Sequence, residues 1–231
     1  MSGLGLSYWK EVIAVLRSII PVYDKVNKII SLGQDDKYRE LGIADEIHPG
    51  DLILDAGSGF GNMSSKALEI LDGNARIILH DPIPEMLNQA QDKKNQRLNL
   101  SCGVFENMPF KEFSIDAVLC GYSLRDSFSL DEAISEVHRV LKNEGRFIIV
   151  DIGKPDNILF RCFVAVYLKY ILGIIAYSVS GKSGLRFKTL YGTFLRWPKN
   201  SVLNDLLLHK FSKVKFTKKM LGGAIIVVAY K

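Results

Sequence analysis

The stretch LDAGSGFGNMSSKALEI, residues 54–70, joins an apolar run to a segment with helical spacing. Its three glycines, Gly57, Gly59 and Gly61, fall at every second position between the two. The run that leads into them is short, apolar and ended by glycine, which predicts a buried strand. A backbone without side chains at alternate positions can approach a ligand closely. The stretch therefore predicts a strand, a ligand-binding turn and a helix.

Short apolar runs and helical patterns alternate along most of the chain. The runs that predict strands are residues 51–57, 75–81, 97–103, 115–123 and 145–153. The patterns that predict helices are residues 12–33, where Pro21 opens the second of three N-terminal helices, then 35–47, 64–73, 84–94 and 129–145, with Ser129 as N-cap. The tail segments KVKFTKK and GAIIVVAY predict an antiparallel pair. We expect an α/β fold: a seven-stranded Rossmann-like sheet, mostly parallel with an antiparallel C-terminal strand, with helices on both faces and an N-terminal helical lid.

Length and composition are those of a globular chain that can bury a large core. The 231 residues are 48% hydrophobic and carry a net charge of +5. Cys102, Cys120 and Cys162 are widely spaced and form neither a zinc pattern nor a disulfide framework, so we expect no metal and a reducing compartment. Charges interrupt the apolar stretch at the N-terminus, so we expect no secretory signal and a cytoplasmic location.

The spacing of the glycines indicates which class of ligand the turn binds. In an open α/β sheet, ligands bind beyond the carboxyl ends of the strands. A dinucleotide fingerprint would place its last glycine at position 62, where this chain has Asn62. The G-x-G-x-G spacing, with Asp55 two residues before the first glycine, suits a ligand without a pyrophosphate. S-adenosylmethionine is such a ligand, and Asp55 could hold its ammonium group. The alternative is an ordinary glycine-rich turn.

Two further elements support an adenosyl ligand. Asp81 ends the predicted strand 75–81, about twenty residues after the glycines, where a carboxylate can accept both ribose hydroxyls. Its alternative role is that of an acid at a helix N-terminus, favoured by the helix dipole. The loop GVFENMPF, residues 103–110, could offer the backbone N–H of Phe105 to an adenine, together with a flat ring face. The alternative is a plain loop with two buried aromatic residues.

Several short motifs occur in the order of a known family. They are YDKVNKIISLG at 23–33, MPF at 108–110, LRD at 124–126, RVLKNEGR at 139–146, KP at 154–155, and the tail segments YGTFLRWP and GGAIIVVAYK. With them the chain resembles the class I S-adenosylmethionine-dependent methyltransferases (EC 2.1.1), and more narrowly the UbiE-type ubiquinone/menaquinone biosynthesis C-methyltransferases. The resemblance implies an N-terminal helical lid over 1–46 and a cofactor-binding domain over 47–231, with an apolar helical insertion at about 156–200.

The resemblance and the glycine turn together define a set of cofactor-binding residues. They are Asp55, Gly57, Ser58, Gly59, Gly61, Asp81, Pro82, Met86, Val104, Phe105 and Gly121. Val104 stands where the family has Asp or Asn, which leaves the adenine a backbone hydrogen bond only. Asp35 and Tyr38 replace the family's histidine and tryptophan, so the exact acceptor is not carried over. Asn143–Glu144 replaces a Pro-Gly pair, where we expect only a changed turn.

Methyl transfer to a quinol ring carbon requires alignment and an adjacent hydroxyl that loses its proton. The resemblance points to Arg125, which rarely deprotonates and is therefore expected to stabilise the phenolate or orient a water. Tyr122 should sit near the methyl group, and Asp126 should hold Arg125. The alternative for Arg125 and Asp126 is an exposed salt bridge in a loop.

Three further residues are candidates for the site, and each has a structural alternative. Tyr23 and Asn27 lie one helical turn apart and could form part of a lid over the sulfonium. Their alternative is packing of a helix against the core. His209 is another conceivable base, although a lone histidine in LLLHKF is more often a helix-end residue.

The apolar segment 158–177 has about the length that spans a bilayer, but it contains Arg161 and Lys169. We interpret it as an apolar cover over the substrate cleft that could also enter the lipid interface. The stretch 182–219 carries ten Lys and Arg against one acid, Asp205, which suits an anionic membrane surface or simply a solvated basic face.

Three functions therefore compete. The first is C-methylation of a prenylated quinone precursor with S-adenosyl-L-methionine, at the inner face of the membrane or in the cytoplasm. The second is methylation of another small molecule, a phospholipid or RNA. RNA is disfavoured because the basic tail lacks the aromatic pattern of a known recognition module. The third is a non-catalytic membrane-surface or interaction protein. A small or lipid-like acceptor, peripheral membrane contact and a homodimer are the partners considered.

Overall fold

The computed structural model describes residues 3–24, 28, 31, 33–94, 99–181, 186 and 189–231. Seven strands form its centre: β1 Leu52–Ala56, β2 Arg76–Asp81, β3 Asn99–Cys102, β4 Ile115–Gly121, β5 Leu141–Ile152, β6 Lys213–Lys219 and β7 Ala224–Tyr230. The helices described are α1 Leu6–Ile19, α2 Asp35–Ile43, α3 Asn62–Ile70, α4 Pro84–Lys94, α5 Leu130–Val140, α6 Ile158–Val166, α7 Leu172–Ser180, α8 Thr189–Arg196 and α9 Asn200–Leu208. A π-helical turn, Tyr167–Ile171, joins α6 to α7.

The strands form one sheet in the order β3-β2-β1-β4-β5-β7-β6. Strands β1 to β5 pair in parallel, and β7 lies antiparallel between β5 and β6. This confirms the predicted seven-stranded sheet and its antiparallel C-terminal strand. The parallel strands are apolar throughout because helices cover both faces, and Ile53 and Leu54 of β1, which point to opposite faces, are both fully buried.

The order of the sheet places a crevice at the carboxyl end of β1. Strand β1 pairs with β2 on one side and β4 on the other, so the connections that leave β1 and β4 run in opposite directions. Such a reversal point is where ligands bind in open α/β sheets. The glycine turn that follows β1 and the end of β4 at Gly121 therefore face the same crevice.

Helix α2 belongs to the core of the sheet. Ile43 is fully buried in a cluster with Ile53 and Ile148. At Gly42 an added Cβ would lie 2.8 Å from Cγ2 of Val150, so glycine lets α2 lie close against the sheet. This packing holds the side chains of α2 beside the ends of β4 and β5.

The predicted helix 129–145 is too long. Helix α5 ends at Val140 and β5 begins at once with Leu141, which pairs with Ile115. The register then shifts, so that Arg146 pairs with Ala117, and Glu144 in the intervening bulge has φ 63°. A left-handed residue cannot continue a helix, so the segment that looks helical in sequence folds as a bulged strand.

The start of the first helix also needs correction. Helix α1 begins at Leu6 rather than at residue 12, and a 3-10 turn, Ile20–Val22, follows it with Pro21 near its start. Ser129 is the N-cap residue of α5, as predicted, although its side chain makes no capping bond. Its backbone N–H donates instead to Glu106 Oε1 at 3.0 Å.

Candidate active site

The glycine turn after β1 has a left-handed backbone at each of its three glycines, with φ 63° at Gly57, 52° at Gly59 and 70° at Gly61. The reason for glycine differs among them. A Cβ at Gly57 would lie 2.4 Å from Oγ of Ser123, so this position is closed by the protein itself. A Cβ at Gly59 would meet only Sδ of Met86, at 3.7 Å. The backbone at Gly59 is therefore the part of the turn with room in front of it.

Asp81 at the end of β2 holds this turn in place through backbone hydrogen bonds. Its Oδ2 accepts a hydrogen bond from the backbone N–H of Gly59 at 2.8 Å, and its Oδ1 accepts one from Ile83 at 2.8 Å. Burial raises the pKa of the Asp81 carboxyl to about 6, although both N–H groups act in the opposite direction. Each carboxylate oxygen keeps a further lone pair, so Asp81 can hold the turn and still receive hydroxyl donors.

Asp55, near the end of β1, is buried at the N-terminus of α3. Its Oδ2 accepts hydrogen bonds from the backbone N–H of Ser64 at 3.0 Å and from the Ser64 hydroxyl at 2.6 Å. The positive end of the helix dipole favours a carboxylate at this place. The two acids thus stand at the ends of adjoining strands, on either side of the glycine turn.

These residues surround a small cavity of about 70 Å³, which we call the loop cavity. It is lined by ten of the eleven residues that the sequence singled out for the cofactor: Asp55, Gly57, Ser58, Gly59, Asp81, Pro82, Met86, Val104, Phe105 and Gly121. Gly61 is not among its lining residues. It stands at the N-cap of α3, and its N–H donates to the carbonyl oxygen of Ser58 at 2.8 Å.

Side chains of helix α1 form part of the lining of the loop cavity. Trp9, Ile13 and Leu16 line it, and Ile13 packs in a cluster with Phe60 and Met86. Pockets for drug-sized ligands usually measure about 300–1,000 Å³, so a nucleoside-sized ligand requires some of the lining side chains to move. The acids and the open face of Gly59 fit an adenosyl ligand, and side chains of α1 cover part of its space.

A second cavity of about 330 Å³ lies beside the first and is predominantly apolar. We call it the apolar cavity. Phe163, Val164, Tyr167 and Leu168 of the segment 158–177 line one wall, as do Leu190 and Met220. Three residues, Tyr23, Arg39 and Tyr122, line both cavities. The two cavities therefore meet at these three side chains.

Tyr122 stands at this junction in a strained conformation. It follows β4 directly and has φ 62°, which is uncommon for a residue with a Cβ. The guanidinium carbon of Arg39 lies 5.0 Å from the centre of its ring. Burial raises the pKa of the Tyr122 hydroxyl above its usual value, so Tyr122 remains protonated at neutral pH. It can donate a hydrogen bond, but it is a poor base.

Arg39 is held by Asp35, a residue that lines the apolar cavity. Its Nη1 donates to Oδ2 of Asp35 at 2.8 Å, and Oδ1 of Asp35 also accepts from the Ser31 hydroxyl at 2.8 Å. Burial opposes ionisation of Asp35, but these hydrogen bonds outweigh it and hold its pKa below the usual value. The position where the family's histidine was expected is thus an ionised, arginine-paired carboxylate that lines the apolar cavity.

Arg125 is buried, so the alternative of an exposed salt bridge is wrong for it. Its Nη1 donates to Oδ1 of Asp151 at 2.5 Å, and its Nε lies 3.9 Å from Oδ1 of Asp126. Burial disfavours the charged guanidinium, but Asp151 and Asp126 more than compensate and raise the pKa of Arg125. Arg125 therefore remains a cation. It lines the apolar cavity, whereas Asp126 lines the loop cavity.

Sequence reasoning missed Asp151, which is completely buried at the end of β5. Burial raises its pKa, and the Arg125 guanidinium and the N–H of Ile152 lower it again in part. The available signal was an acid at the end of the strand next to β4, the same position on a strand that identified Asp55 and Asp81. Arg39 was missed as well, although it directly follows the substituted positions Asp35 and Tyr38.

The remaining candidates fall in different places. Tyr23 lines both cavities and its ring meets Phe60 edge-on at 5.8 Å. Asn27 lies outside the described residues. His209 is exposed directly after the end of α9, and it lines neither cavity, as expected for a helix-end residue.

A sheet of this order with acids at two adjoining strand ends is suited to an adenosyl ligand. The apolar cavity against it provides room for a second molecule that receives a group. On a seven-stranded sheet with an antiparallel β7, these features define the class of S-adenosylmethionine-dependent methyltransferases.

Comparison with known proteins identifies the family. The chain matches the ubiE/COQ5 methyltransferase family over residues 6–231, and it belongs to that family. A demethylmenaquinone methyltransferase from Symbiobacterium thermophilum is 30% identical over 221 residues, which cover 90% of this chain and 88% of that protein. One from Deinococcus radiodurans is 29% identical over 171 residues, covering 72% of this chain and 70% of that protein.

A solved structure gives the same fold. A SAM-dependent methyltransferase from Thermotoga maritima, described as a possible histamine N-methyltransferase, has a TM-score of 0.63 and 16% identity. The match covers 93% of this chain and 99% of that chain. At this identity the likeness shows the fold alone, and it agrees with the sheet order described above.

Proposed function

We propose that this protein transfers a methyl group from S-adenosyl-L-methionine to a ring carbon of a prenylated quinol. The observation that carries the proposal is the junction of the two cavities at Tyr23, Arg39 and Tyr122. The loop cavity, whose acids suit the cofactor, adjoins there an apolar cavity of about 330 Å³, which suits a ring with an isoprenoid tail. The names of the two relatives, demethylmenaquinone methyltransferases, point to the same acceptor class.

The loop cavity would hold the cofactor by its polar ends. Asp81 would accept the ribose hydroxyls, Asp55 would hold the ammonium group, and the loop at Val104 and Phe105 would receive the adenine. When bound, the cofactor supplies a methyl group already activated by the sulfonium. The protein therefore needs chiefly to align the acceptor carbon and to exclude water. Trp9 and Ile13 of α1, which cover the cavity, would provide that exclusion.

The polar wall of the apolar cavity would act on the acceptor. A quinol ring carbon becomes a good nucleophile when the neighbouring hydroxyl is deprotonated, and a nearby cation stabilises the phenolate. Arg125 and Arg39 are two such cations. Both arginines line the apolar cavity, so their guanidinium groups would face the acceptor oxygen. Asp35 would accept a hydrogen bond from the other hydroxyl and set the ring orientation.

The alternatives receive less support. A small polar acceptor would leave the apolar wall of the second cavity without a partner. An RNA base is polar and would not use a predominantly apolar cavity. A non-catalytic role does not explain why two cavities join beside two buried cations. We place the reaction on the cytoplasmic side of a membrane, where a prenylated acceptor resides.

Transfer of a labelled methyl group tests the proposal. The protein would be incubated with methyl-tritiated S-adenosylmethionine and reduced demethylmenaquinone carrying a short tail that keeps it in solution. Label should enter the extracted quinone, and mass spectrometry should show one added methyl on a ring carbon. The same ring without a tail is the matched control and should react more slowly because it leaves the apolar wall unfilled. Label confined to RNA or to other water-soluble products would overturn the assignment.

A further inference from the structure

The helical segment Ile158–Ser178 is long and apolar enough, by length and composition, to cross a membrane, and it is the one such helix in the described part of the chain. Core helices of ordinary proteins also satisfy that criterion, but they are mostly buried. Here only 17% of the most apolar window is buried, and none of the nine residues of α6 is buried. The chain therefore presents to solvent a helix with the composition of a protein interior.

The outward face of this segment is almost entirely apolar. Leu159, Phe163, Val166, Tyr170, Ile174 and Tyr177 recur at intervals of three or four residues and are all exposed. Lys169 is the one charged side chain among the exposed residues of the segment, and its Nζ lies 5.0 Å from the ring centre of Tyr170. A soluble amphipathic helix has the opposite arrangement, with its polar face outward. Contiguous exposed apolar surface of this kind marks an interaction site.

A strained turn adds to the same face. Met220 and Leu221, between β6 and β7, have φ 47° and 56° and expose large apolar side chains. Val164 of α6 packs beside this turn, since its Cγ2 would lie 3.1 Å from a Cβ at Gly223. Left-handed backbone at two non-glycine residues costs roughly 1–2 kcal/mol at each. A polar glycine turn would avoid that cost, so a contact of these apolar side chains with a partner surface would explain their presence.

The opposite face of the segment is packed against the protein. Leu168, Leu172 and Ala176 are buried in a cluster with Ile19 of α1 and Phe194 of α8. A helix that is tied to the domain along one face cannot pass through a bilayer. It can lie in the plane of a membrane with its outward face in the acyl boundary, as interfacial helices do.

The charge of the neighbouring stretch indicates which kind of surface this apolar face contacts. The stretch 182–219, which follows the segment, has ten Lys and Arg against the single acid Asp205. Of these, Arg186 and Arg196 are exposed, and Lys219 directly precedes the Met220–Leu221 turn. Basic residues near a lipid surface are attracted by anionic headgroups. An apolar face that is followed in the chain by a basic stretch suits an anionic bilayer, whereas a second copy of this chain, with the same net charge of +5, would bring like charges together.

We propose that the outward face of Ile158–Ser178, together with the Met220–Leu221 turn, docks in the plane of an anionic lipid bilayer. The proposal deepens the proposed function and depends on it for its purpose, because Phe163 and Met220 are at once exposed and part of the lining of the apolar cavity. The cavity therefore opens on the docking face, and a lipid-soluble acceptor reaches the active site without crossing water.

Vesicle flotation tests the docking directly. The wild-type chain is mixed with vesicles of phosphatidylcholine containing one third phosphatidylglycerol, and with phosphatidylcholine alone. We expect flotation with the anionic vesicles and at least tenfold weaker binding to the neutral ones. The test variant is L159E/I174E, at positions that are 59% and 68% exposed and line neither cavity. The matched control is L41E/L208E, at positions that are 51% and 49% exposed on other helices.

Both double variants change the net charge equally, so a difference between them reports the docking face. L159E/I174E should bind anionic vesicles at least tenfold more weakly than wild type, and L41E/L208E within about twofold of it. All three proteins should methylate the short-tailed acceptor in solution with equal kcat/KM. If the glutamate variant does not fold, L159S/I174S against L41S/L208S makes the same comparison.

Three outcomes would overturn the docking proposal: no flotation of wild type, equal flotation of both variants, or a homodimer in solution that L159E/I174E dissociates while vesicles bind none of the proteins. In each of these, transfer of label to the short-tailed acceptor still decides the proposed function separately. Resistance of bound protein to extraction by alkaline carbonate would show a spanning helix and would also refute docking in the plane.

Discussion

Substitution of Gly57 and of Gly59 by alanine separates the structural from the ligand-facing part of the glycine turn. Both residues have left-handed φ, so alanine carries a backbone penalty of roughly 1–2 kcal/mol at either position. At Gly57 the new methyl group would also lie 2.4 Å from Ser123 Oγ and 2.5 Å from Ser123 Cβ, which adds an overpacking penalty of about 1–3 kcal/mol. At Gly59 the nearest atom, Sδ of Met86, is 3.7 Å away and adds none.

The two variants should therefore differ in stability and in binding. Gly57→Ala should unfold at a midpoint about 2–12 °C below that of Gly59→Ala, since 1 kcal/mol shifts Tm by about 2–4 °C in a chain of this size. Gly59→Ala should fold but bind S-adenosylmethionine at least tenfold more weakly, about 1.4 kcal/mol, because its methyl group points into the loop cavity. Gly59→Val should abolish binding.

Thermal unfolding and titration calorimetry measure the two effects, and a double-mutant cycle isolates the clash. Ser123→Gly removes the two nearest atoms that the new methyl group at Gly57 would meet and leaves Cε2 of Phe105 at 3.0 Å, so the Gly57→Ala/Ser123→Gly pair should recover most of the overpacking penalty. Equal destabilisation by Gly57→Ala and Gly59→Ala, or an unchanged affinity in Gly59→Ala, would refute this assignment of roles.

The other predictions concern four charged residues of the site. Asp81→Ala should weaken cofactor binding by about 1–3 kcal/mol in calorimetry, the loss expected for hydrogen bonds to a charged group; an unchanged Kd would remove Asp81 from the cofactor site. Arg125→Ala should lower kcat far more than it raises the Kd of the cofactor, whereas equal losses would mean that Arg125 binds rather than acts on the acceptor. Asp151→Ala leaves the Arg125 guanidinium buried without its closest partner and should reduce the free energy of unfolding in urea by about 3–5 kcal/mol. Lys142→Ala, which breaks the partly exposed pair with Asp116 and leaves the hydrogen bond from Leu52 N–H to Asp116 in place, should remove about 1 kcal/mol or less and is the control. Because burial raises the pKa of Asp126 to about 6, the folded state binds its proton more tightly than the unfolded state, and ionisation of Asp126 lowers stability as pH rises from about 4 to 6. Relative to wild type, Asp126→Asn should therefore gain on the order of 2–3 kcal/mol between pH 4 and pH 7, and parallel pH profiles would contradict the shifted pKa.

Much of the fold was predictable because it is encoded by local periodicity. Short apolar runs specified the strands within a few residues, and the predicted helix 84–94 coincides with α4. The failure at residues 141–145 has a physical cause. Leu141 begins β5 because Ile115 of β4 pairs with it, and Glu144 adopts a left-handed conformation inside the bulge. Helical propensity along the chain cannot reveal a pairing with a distant strand.

The residues of the candidate site also fall into two groups: those that local sequence predicts and those that depend on tertiary packing. Asp55 and Asp81 were predictable because an acid at the end of an apolar strand in an α/β fold marks the binding edge. Asp151 stands in the same position on β5, but its role depends on Arg125 reaching it across the strand ends. Arg39 was not predictable as a site residue because only the packing of α2 on the sheet brings it to Tyr122.

The alternation of strands and helices, the glycine turn and the acids that flank it can be read from local sequence, because each depends on residues that are neighbours in the chain. Tertiary structure alone decided that Gly57 is closed by Ser123 while Gly59 faces open space, and that two cavities meet at Tyr122. It also decided that the helix Ile158–Ser178 exposes an apolar face. These properties depend on the order of strands in the sheet and on which faces other elements cover, and spacing along a single chain carries no information on either.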